Sequence, residues 1–544
     1  MDSKPYSSTH LPPAGEERQQ PAASAWSPLR HALFRGLWLA AIASNIGTWM
    51  QEVGAGWLMT SLSPDPFTVA LVQAASTAPM FLLALPGGAL SDIVDRRRYL
   101  LVLQGWMAGV ALTLALLAWS GAITPAGLLW LTLAMGVGSA LMMPAWAALI
   151  PELVPPAELP AAVVLSGVGI NIARAIGPAL AGLIVSAAGP WATFLLNAIS
   201  FLGVIVVLWR WRPAVVEQPL PAERFFGALR VGLRYARQEP ALHAVLVRAL
   251  AFFLCASAGM ALLPLIVRHE LAGGANLYGG LLACVGVGAV GGAALLPTVR
   301  RRLSKNSLVM VASLLYALTL ATLGLIRSVP ALAIALLVGG AAWLAVLSSL
   351  QVSAQTVAPA WVRARALAIY MLVFFGAMAA GSALWGAVAQ QAGPSTALLA
   401  AALGLTLLVP LSWWFELTPS EEVDRSPSLH WPTPIVATEV EPDRGPVLIT
   451  LQYEVDPAHA AAFAEAMNGV ARVRRRNGAV SWGLFNDAEN PRKWIEVFVD
   501  ESWVEHLRHH RRVTRADVDV EAAARRFQVE DIPLVIKHYL APER

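Results

Sequence analysis

Long stretches without a charged residue run through most of this sequence. Residues 99–151 form 53 consecutive uncharged positions, and residues 366–415 form 50. A membrane-spanning helix needs about 20 predominantly apolar residues, so each stretch holds two spans divided by a turn such as Gly393-Pro394. A chain that is 57% hydrophobic and 14% charged cannot cover itself with polar surface, which excludes a wholly soluble enzyme.

The same criteria, applied to the whole chain, predict an all-α polytopic membrane protein with twelve transmembrane helices. Their approximate ranges are 36–60, 67–90, 100–119, 126–149, 161–187, 191–211, 243–267, 276–298, 307–326, 330–354, 365–389 and 395–415. The connections after even-numbered spans, counted with Arg210 and Arg365 at the span ends, hold fifteen Lys and Arg; the other connections hold only Arg268 and Arg327. Because basic loops stay in the cytoplasm, we expect both termini to be cytoplasmic in a multi-pass cell (plasma or inner) membrane protein.

The segments outside the spans divide the chain further. Pro, Ser and Ala dominate the first residues and predict disorder, and Phe225, Leu229 and Leu233 recur at helical spacing between arginines, which predicts an amphipathic helix on the membrane surface. A partly ordered linker is the alternative there. The predicted order is a disordered cytoplasmic tail (1–32), an amino-terminal six-helix half (33–212), the amphipathic linker (213–240), a carboxy-terminal six-helix half (241–416), a Pro- and acid-rich linker (417–445) and a soluble cytoplasmic domain (446–544).

Residues 446–544 have the composition of a soluble domain. They carry 29 charges in 99 positions, against 31 in the 383 positions of residues 34–416. Alternating apolar residues from Val447 to Val455 are typical of a half-buried strand. The whole pattern reads β-α-β-β-α-β, which predicts a ferredoxin-like α+β domain; the later elements lie near 457–476, 479–485, 493–499, 502–527 and 532–540.

The two six-span halves align at a constant offset of 204 residues. Gly177-Pro178-Ala-Leu-Ala-Gly182 matches Gly381-Ser-Ala-Leu-Trp-Gly386, and the glycine pairs and arginine triplets of spans 2 and 8 match at the same offset. Two parallel repeats predict a pseudo-two-fold axis along the membrane normal, with a substrate site between the halves.

With these motifs the sequence resembles the major facilitator superfamily over about residues 30–416. The loop Gly88-Ala-Leu-Ser-Asp92-Ile-Val-Asp95-Arg96-Arg-Arg is similar to the superfamily signature, with Asp95 where glycine is usual. The Gly177-Pro178-x-x-x-Gly182 run resembles the helix-packing signature of antiporters in span 5. The stretches 45–51 and 171–174 resemble a subgroup of bacterial exporters that includes siderophore and macrolide efflux proteins, so the resemblance implies efflux by alternating access.

The loop after span 2 is the first candidate site. Gly88 is expected to let span 2 approach another helix closely, and Asp92 would lie at the start of span 11, where a helix N-terminus favours an anion. The resemblance implies that Gly88, Asp92 and Arg96 form a conformational latch between the halves. A local salt bridge between Asp92 and Arg96 is the alternative.

Glu52 and Arg174 are charges at membrane depth, where charges are costly and face cavities or partners. At ~1.5 Å per residue their depths match, so the two could pair and respond to protons or substrate. A fixed structural ion pair, or a Glu52 that faces the outer vestibule, are the alternatives. Asn45, Gln51 and Asn171 lie at similar depths and are candidates for the transport site, although such residues also serve as glue between helices.

The terminal domain contains His506 and His510 at i, i+4, a spacing that permits metal binding. A solvated face or a dimer surface is the favoured interpretation, so we expect no metal and no cofactor. The domain resembles the dimeric α+β barrels of the antibiotic-biosynthesis monooxygenase type, which implies a homodimer; no catalytic motif carries over.

Together these features predict a proton-coupled exporter of a small amphipathic molecule, not an enzyme, with protons, substrate and the lipid bilayer as partners and no nucleic acid. The alternatives are an importer of the same fold, an enzyme anchored by the membrane half, and a sensor that acts through the terminal domain.

Overall fold

A computed structural model shows a helical bundle followed by a small sheet domain. It describes residues 26–211, 234–359, 361–417, 440–529 and 532–542, together with positions 424, 426, 428, 430, 431 and 436; at 84, 85, 89 and 91–93 it describes only the backbone. The predicted tail therefore lies outside the described residues up to position 25, and the predicted amphipathic linker lies outside them over 213–233.

The bundle consists of helices that cross it from end to end. Asp65 and Thr124 cap two of them by accepting backbone N–H bonds, and prolines occupy the first turn of several others. The helices are α1 Ala32–Leu62, α2 Pro66–Ile93, α3 Arg96–Trp119, α4 Pro125–Leu153, α5 Leu159–Ala188, α6 Pro190–Arg210, α7 Pro240–Leu265, α8 Ala275–Arg300, α9 Lys305–Leu325, α10 Val329–Val357, α11 Arg363–Ala392 and α12 Pro394–Leu408.

Within the described ranges, eleven helices, α2 to α12, are long and apolar enough to cross a membrane, some with short helical extensions at their ends. The first helix, α1, has 31 residues but is not among them. Its apolar sequence is interrupted by Ser44, Asn45, Gln51 and Glu52, which lower its hydropathy. A twelfth span remains a prediction.

The offset of 204 residues recurs in the packing inside each half. A Cβ added to Gly136 of α4 would lie 2.9 Å from the Ser76 carbonyl oxygen of α2. At the equivalent position (340 − 136 = 204), Gly340 of α10 lies against the Val285 carbonyl of α8. Helix pairs that correspond in the repeat therefore approach each other through glycines at corresponding positions.

The contacts between the halves follow the same symmetry. Gly182 of α5 packs on α8, where its Cβ would lie 2.9 Å from the Ala275 carbonyl oxygen. Gly386 of α11, again 204 residues later, packs on α2, 2.6 Å from the Cβ of Ala70. The two halves thus meet along two glycine-mediated helix pairs, α5–α8 and α2–α11.

The two ends of the bundle differ in charge. One end, here the arginine face, carries Arg96–Arg98 and Arg300–Arg302. The opposite end, the short-loop face, carries brief turns such as Ser63–Asp65. There, the Arg268 guanidinium donates to the hydroxyls of Thr60 (3.0 Å) and Ser61 (2.6 Å), a further contact between the halves.

The terminal domain is a four-stranded antiparallel sheet with strand order β2-β3-β1-β4, which is the ferredoxin-like order. Helices cover one sheet face, where Val447, Ile449 and Leu451 are buried. The predicted second helix is interrupted at Val513-Thr514 because Thr514 starts a new helix with a capping box to Asp517. The elements are β1 Val447–Glu454, α13 Ala460–Asn477, β2 Ser481–Asn486, β3 Lys493–Asp500, α14 Trp503–Arg512, α15 Arg515–Arg525 and β4 Val535–Leu540.

Described residues of the predicted second linker pack on this domain instead of separating from it. The guanidinium carbon of Arg474 lies 4.6 Å from the ring centroid of Trp431. The Arg444 carbonyl accepts a hydrogen bond from the Trp503 backbone N–H at 2.7 Å. The domain also contacts the arginine face: Arg476 pairs with Glu239 at 2.8 Å, and Arg512 lies 4.8 Å from the Trp361 ring centroid.

Candidate functional site

A cavity of about 420 Å³ lies inside the first six-helix half. Its lining runs along α1 from Phe34, near the arginine face, to Ala55, a length of about 32 Å at 1.5 Å rise per residue. Small-molecule sites occupy roughly 300–1,000 Å³, so the volume suits a small ligand.

The cavity is asymmetric: its lining comes almost entirely from the first half, whereas the sequence predicts a site between the halves. Helices α1 to α6 supply the lining apart from Phe375 of α11. The lining residues Thr48 and Ser139 correspond in the repeat to Phe252 and Trp343 (252 − 48 = 343 − 139 = 204). Those two rings pack on each other at 5.9 Å, so large aromatic side chains fill the second half where small polar ones leave the first half open.

The lining combines apolar, amide and hydroxyl groups with a single carboxyl group. Its polar members can each offer a hydrogen bond to a ligand, and among the described lining residues Glu52 is the only charged one. The polar lining residues are Ser44, Asn45, Thr48, Gln51, Glu52, Gln73, Ser76, Thr77, Gln104, Thr132, Ser139 and Ser166.

Glu52 lies in the cavity, where its side chain is exposed. The cavity that it lines reaches Phe34 near the arginine face. Glu52 interacts electrostatically with Arg174, but within the described part of the chain the two form no ion pair. A fixed structural ion pair is therefore not what the structure contains.

Arg174 lies one turn beyond Ile170, the last residue of α5 in the cavity lining. Its guanidinium carbon is 5.7 Å from the ring centroid of Trp49, and its Nε is buried without a hydrogen-bond partner. Trp49 thus holds the arginine by a cation–π contact. Glu52 and Arg174 thus interact electrostatically without the direct ion pair that the sequence allows.

The three amide candidates have different surroundings. Asn45 and Gln51 both line the cavity, and Gln51 Oε1 accepts from Asn197 Nδ2 at 2.6 Å. Asn171 does not line it, which corrects its prediction: it bonds back to the Gly167 carbonyl at 2.9 Å. The neighbouring Ile170 faces the cavity, and one residue turns a helix by about 100°.

The latch residues are only partly described. The side chain of Asp92 lies outside the described residues. Arg96 pairs with Glu152 at the end of α4 and donates to the Ala148 carbonyl at 3.2 Å. Among the described atoms none lies within 4 Å of a Cβ position on Gly88, whereas a Cβ on the adjacent Gly87 would lie 3.1 Å from the Leu141 Cα of α4.

The span-5 signature residues lie at helix contacts. A Cβ on Gly177 would lie 2.6 Å from the Trp49 Cβ of α1, so this glycine lets α5 pack on α1. Gly279 of α8 lies against the Pro178 carbonyl and Gly182. Gly177 thus acts within the first half, whereas Pro178 and Gly182 act between the halves.

The sequence interpretation missed a methionine-rich wall. These flexible, polarisable side chains suit variable ligands, and they line the cavity beside Gln104 and Thr132, which each keep a buried oxygen without a partner. Their spacing in uncharged helices resembles ordinary core sequence, so no signal separated them from it. The methionines are Met80, Met107, Met135, Met142 and Met143.

Comparisons with known proteins agree with this architecture. The family described as transmembrane secretion effector matches residues 23–544. The staphyloferrin A transporter of Staphylococcus aureus is 23% identical over 276 residues, 51% of this chain and 69% of that protein. The uncharacterized MFS-type transporter YfiS of Bacillus subtilis is 25% identical over 369 residues, 65% of this chain and 86% of that protein.

Solved structures show the same fold at low identity. A bacterial homologue of the human lysosomal transporter Spinster, inward-facing and unoccupied, has a TM-score of 0.55 at 14% identity and covers 71% of this chain and 95% of its own. A mutant of the nucleoside transporter NupG has a TM-score of 0.59 at 13% identity and covers 71% of this chain and 100% of its own. With the family match over nearly its whole length, this chain belongs to the transmembrane secretion effector family of major facilitator membrane transporters.

Proposed function

We propose that this chain is a proton-coupled exporter in the cell membrane, with twelve spans and both termini in the cytoplasm. The single observation that carries the proposal is the cavity on the arginine face, with Glu52 as the charged group in its described lining. The uneven distribution of basic loop residues supports a cytoplasmic position for that face. A substrate would then enter from the cytoplasm.

The short-loop face supports an alternating-access mechanism. The Arg268 contacts to Thr60 and Ser61 join the halves there, as do the packed glycines Gly182 and Gly279. Rocking of one half against the other would separate these contacts and open the cavity to the outside. Asp92 and Arg96 would close the arginine face in that second state.

Proton coupling would run through Glu52. The carboxylate form is favoured by Arg174 and the neutral form by an environment without water. A rearrangement that changes the distance to Arg174, or the hydration of the cavity, would therefore change the proton affinity of Glu52. Protonation from outside and release inside would drive export.

The cavity indicates the class of substrate. Apolar and methionine walls with scattered amides and hydroxyls suit an amphipathic molecule, and the carboxyl group of Glu52 favours a neutral or cationic one. Because the first of the relatives above is named as a transporter of staphyloferrin A, siderophores belong in the first screen beside macrolides and cationic dyes.

A susceptibility screen of a deletion strain, complemented with the wild-type chain or an empty vector, tests the proposal. We expect complementation to lower intracellular accumulation of at least one compound, and transport into inside-out vesicles to require an acidic lumen. Transport in right-side-out vesicles alone would favour the importer. An anchored enzyme or a sensor would be favoured if no flux of any compound were detected and if deletion of residues 446–544 abolished the phenotype of the wild-type chain.

The terminal domain would form a homodimer. The sheet face opposite its helices exposes apolar side chains, among them Phe485 (60% exposed) and Tyr539 (48%). Pairing of two such faces would remove them from water. Light scattering of the purified chain in detergent should give a dimer, and a monomer would contradict this part of the proposal.

A further inference from the structure

Three histidines of the terminal domain converge although they come from different elements. His506 and His510 are one turn apart on α14, and His538 lies on β4, paired with Ile449 of β1. Their nitrogen atoms all lie within 4.8 Å of one another. The sequence favours a solvated face at this position, but His506 is fully buried, so the structure corrects that interpretation.

An aspartate fixes the orientation of the central imidazole. His506 Nδ1 lies 2.8 Å from Asp500 Oδ2 at the end of β3. If Nδ1 donates to this carboxylate, His506 Nε2 carries a free lone pair, and Nε2 is the atom that faces His510 Nε2 at 3.1 Å. Metal-binding histidines are oriented in the same way by carboxylates around the site.

We propose that His506, His510 and His538 form a binding site for a divalent transition-metal ion, zinc in the first place. Tetrahedral zinc with bonds of about 2.05 Å separates its nitrogen ligands by about 3.3 Å, close to the 3.1 Å between the two Nε2 atoms. Imidazole ligands suit zinc, copper and nickel and disfavour calcium and magnesium. Three protein ligands leave a fourth position for water or a small ligand.

The surroundings enclose the site and connect it to the bundle. Trp503 packs on His506 at 5.5 Å between ring centroids, and Trp431 packs on His510 at 4.9 Å. Two residues after His510, the same helix carries Arg512, which lies on the Trp361 ring. A bound metal would fix α14 to β4 at the helix end that contacts the membrane-spanning part.

Zinc binding to the full-length chain, in detergent, without an affinity tag and after chelator treatment, tests the proposal. The wild type and the control His459→Ala, which changes an exposed histidine outside the cluster, should each bind one high-affinity zinc. The double variant His510→Ala/His538→Ala should bind it at least about 100-fold more weakly, since outer-shell changes alone cost 10–100-fold. Equal affinity in wild type and double variant would overturn the site.

A measurement without substitutions covers the case in which the double variant does not fold. Diethylpyrocarbonate modification of the wild type can be mapped by mass spectrometry. When zinc is present, the extent of modification should decrease at His510 and His538 and stay unchanged at His459. Cobalt should give the intense visible bands of a tetrahedral nitrogen site. Unprotected His510 and His538 at saturating zinc would overturn the proposal whatever the variants do.

Discussion

Gly182 of α5 and Gly279 of α8 lie in backbone contact across the two halves: a Cβ on Gly279 would lie 2.8 Å from the Gly182 Cα. Only residues without side chains permit this approach. Since the contact lies near the end of α5 at the short-loop face, it belongs to the conformation in which that face is closed.

The first prediction concerns this contact. Gly182→Leu should destabilise the closed short-loop face, because overpacking costs about 1–3 kcal/mol, equivalent to a population shift of about 5–150-fold. Disulfide formation between cysteines introduced at Ser61 and Arg268 measures that closure and should fall accordingly. Gly203→Leu, at a position with open space around it, is the control. Unchanged cross-linking in the Gly182 variant would refute the role of the contact.

The second prediction separates two asparagines that the sequence treats alike. Asn45 lines the cavity and Asn171 does not. Asn45→Ala should reduce flux of the transported compound at least about tenfold, the effect of losing about 1.4 kcal/mol of binding, while Asn171→Ala should change it little. Flux in vesicles, normalised to protein abundance, measures both. The reverse order would show that the cavity is not the substrate site.

The third prediction concerns where the terminal domain begins. Trp431 packs on Arg474 and His510, and its indole N–H donates to Glu521 at 3.3 Å. A fragment of residues 424–544 should therefore be more stable than one of 446–544, by at most about 1.5–3 kcal/mol, the value for full burial of a large apolar side chain, because Trp431 is half-buried. Urea unfolding compares them, with Trp431→Ala in the longer fragment as a control that should lose most of the difference. Equal stability would restore the boundary at 446.

The fourth prediction is a pH dependence of the metal-free domain. Unfolded histidine has a pKa of about 6.5, above the pKa of about 3 for His510 and about 4 for His538 in the folded chain. The unfolded state binds more protons below about pH 6.5, so stability must fall as the pH drops from 7 towards 4. Burial raises the pKa of Glu521, but Arg474 and other neighbours outweigh it and lower that pKa to about 2. Below about pH 4.5, Glu521 therefore adds to the loss of stability.

This unfolding can be followed in the full-length chain by a cysteine introduced at the buried position of Ala524, with Cys255 and Cys284 replaced by serine. The measured quantity is the temperature at which the introduced thiol becomes accessible to a thiol reagent. The His510→Ala/His538→Ala variant should lose most of the pH dependence between 7 and 5. A wild-type midpoint that rises on acidification would contradict the sign of the effect.

Some features of the fold and of the candidate site can be predicted from the sequence, and others depend on tertiary packing. Uncharged stretches and the 204-residue offset predict the helices and their symmetry, because membrane burial and repeated packing both leave local signatures. The asymmetry of the cavity follows from Phe252 and Trp343, whose bulk matters only once α7, α10 and their neighbours are packed. Likewise, His538 is 28 residues from His510 and joins it only through the pairing of β4 with β1, which no local pattern encodes.

Gradient-driven transport in proteoliposomes tests most directly whether protons are coupled to transport through Glu52. With a compound identified by the screen, wild type and the control Glu158→Gln should accumulate substrate in response to an imposed pH gradient. Glu52→Gln should still exchange substrate across the membrane but should lose at least about 90% of the gradient-driven accumulation, a loss of about 1.4 kcal/mol. Full pH-driven accumulation by Glu52→Gln would contradict proton coupling through this residue.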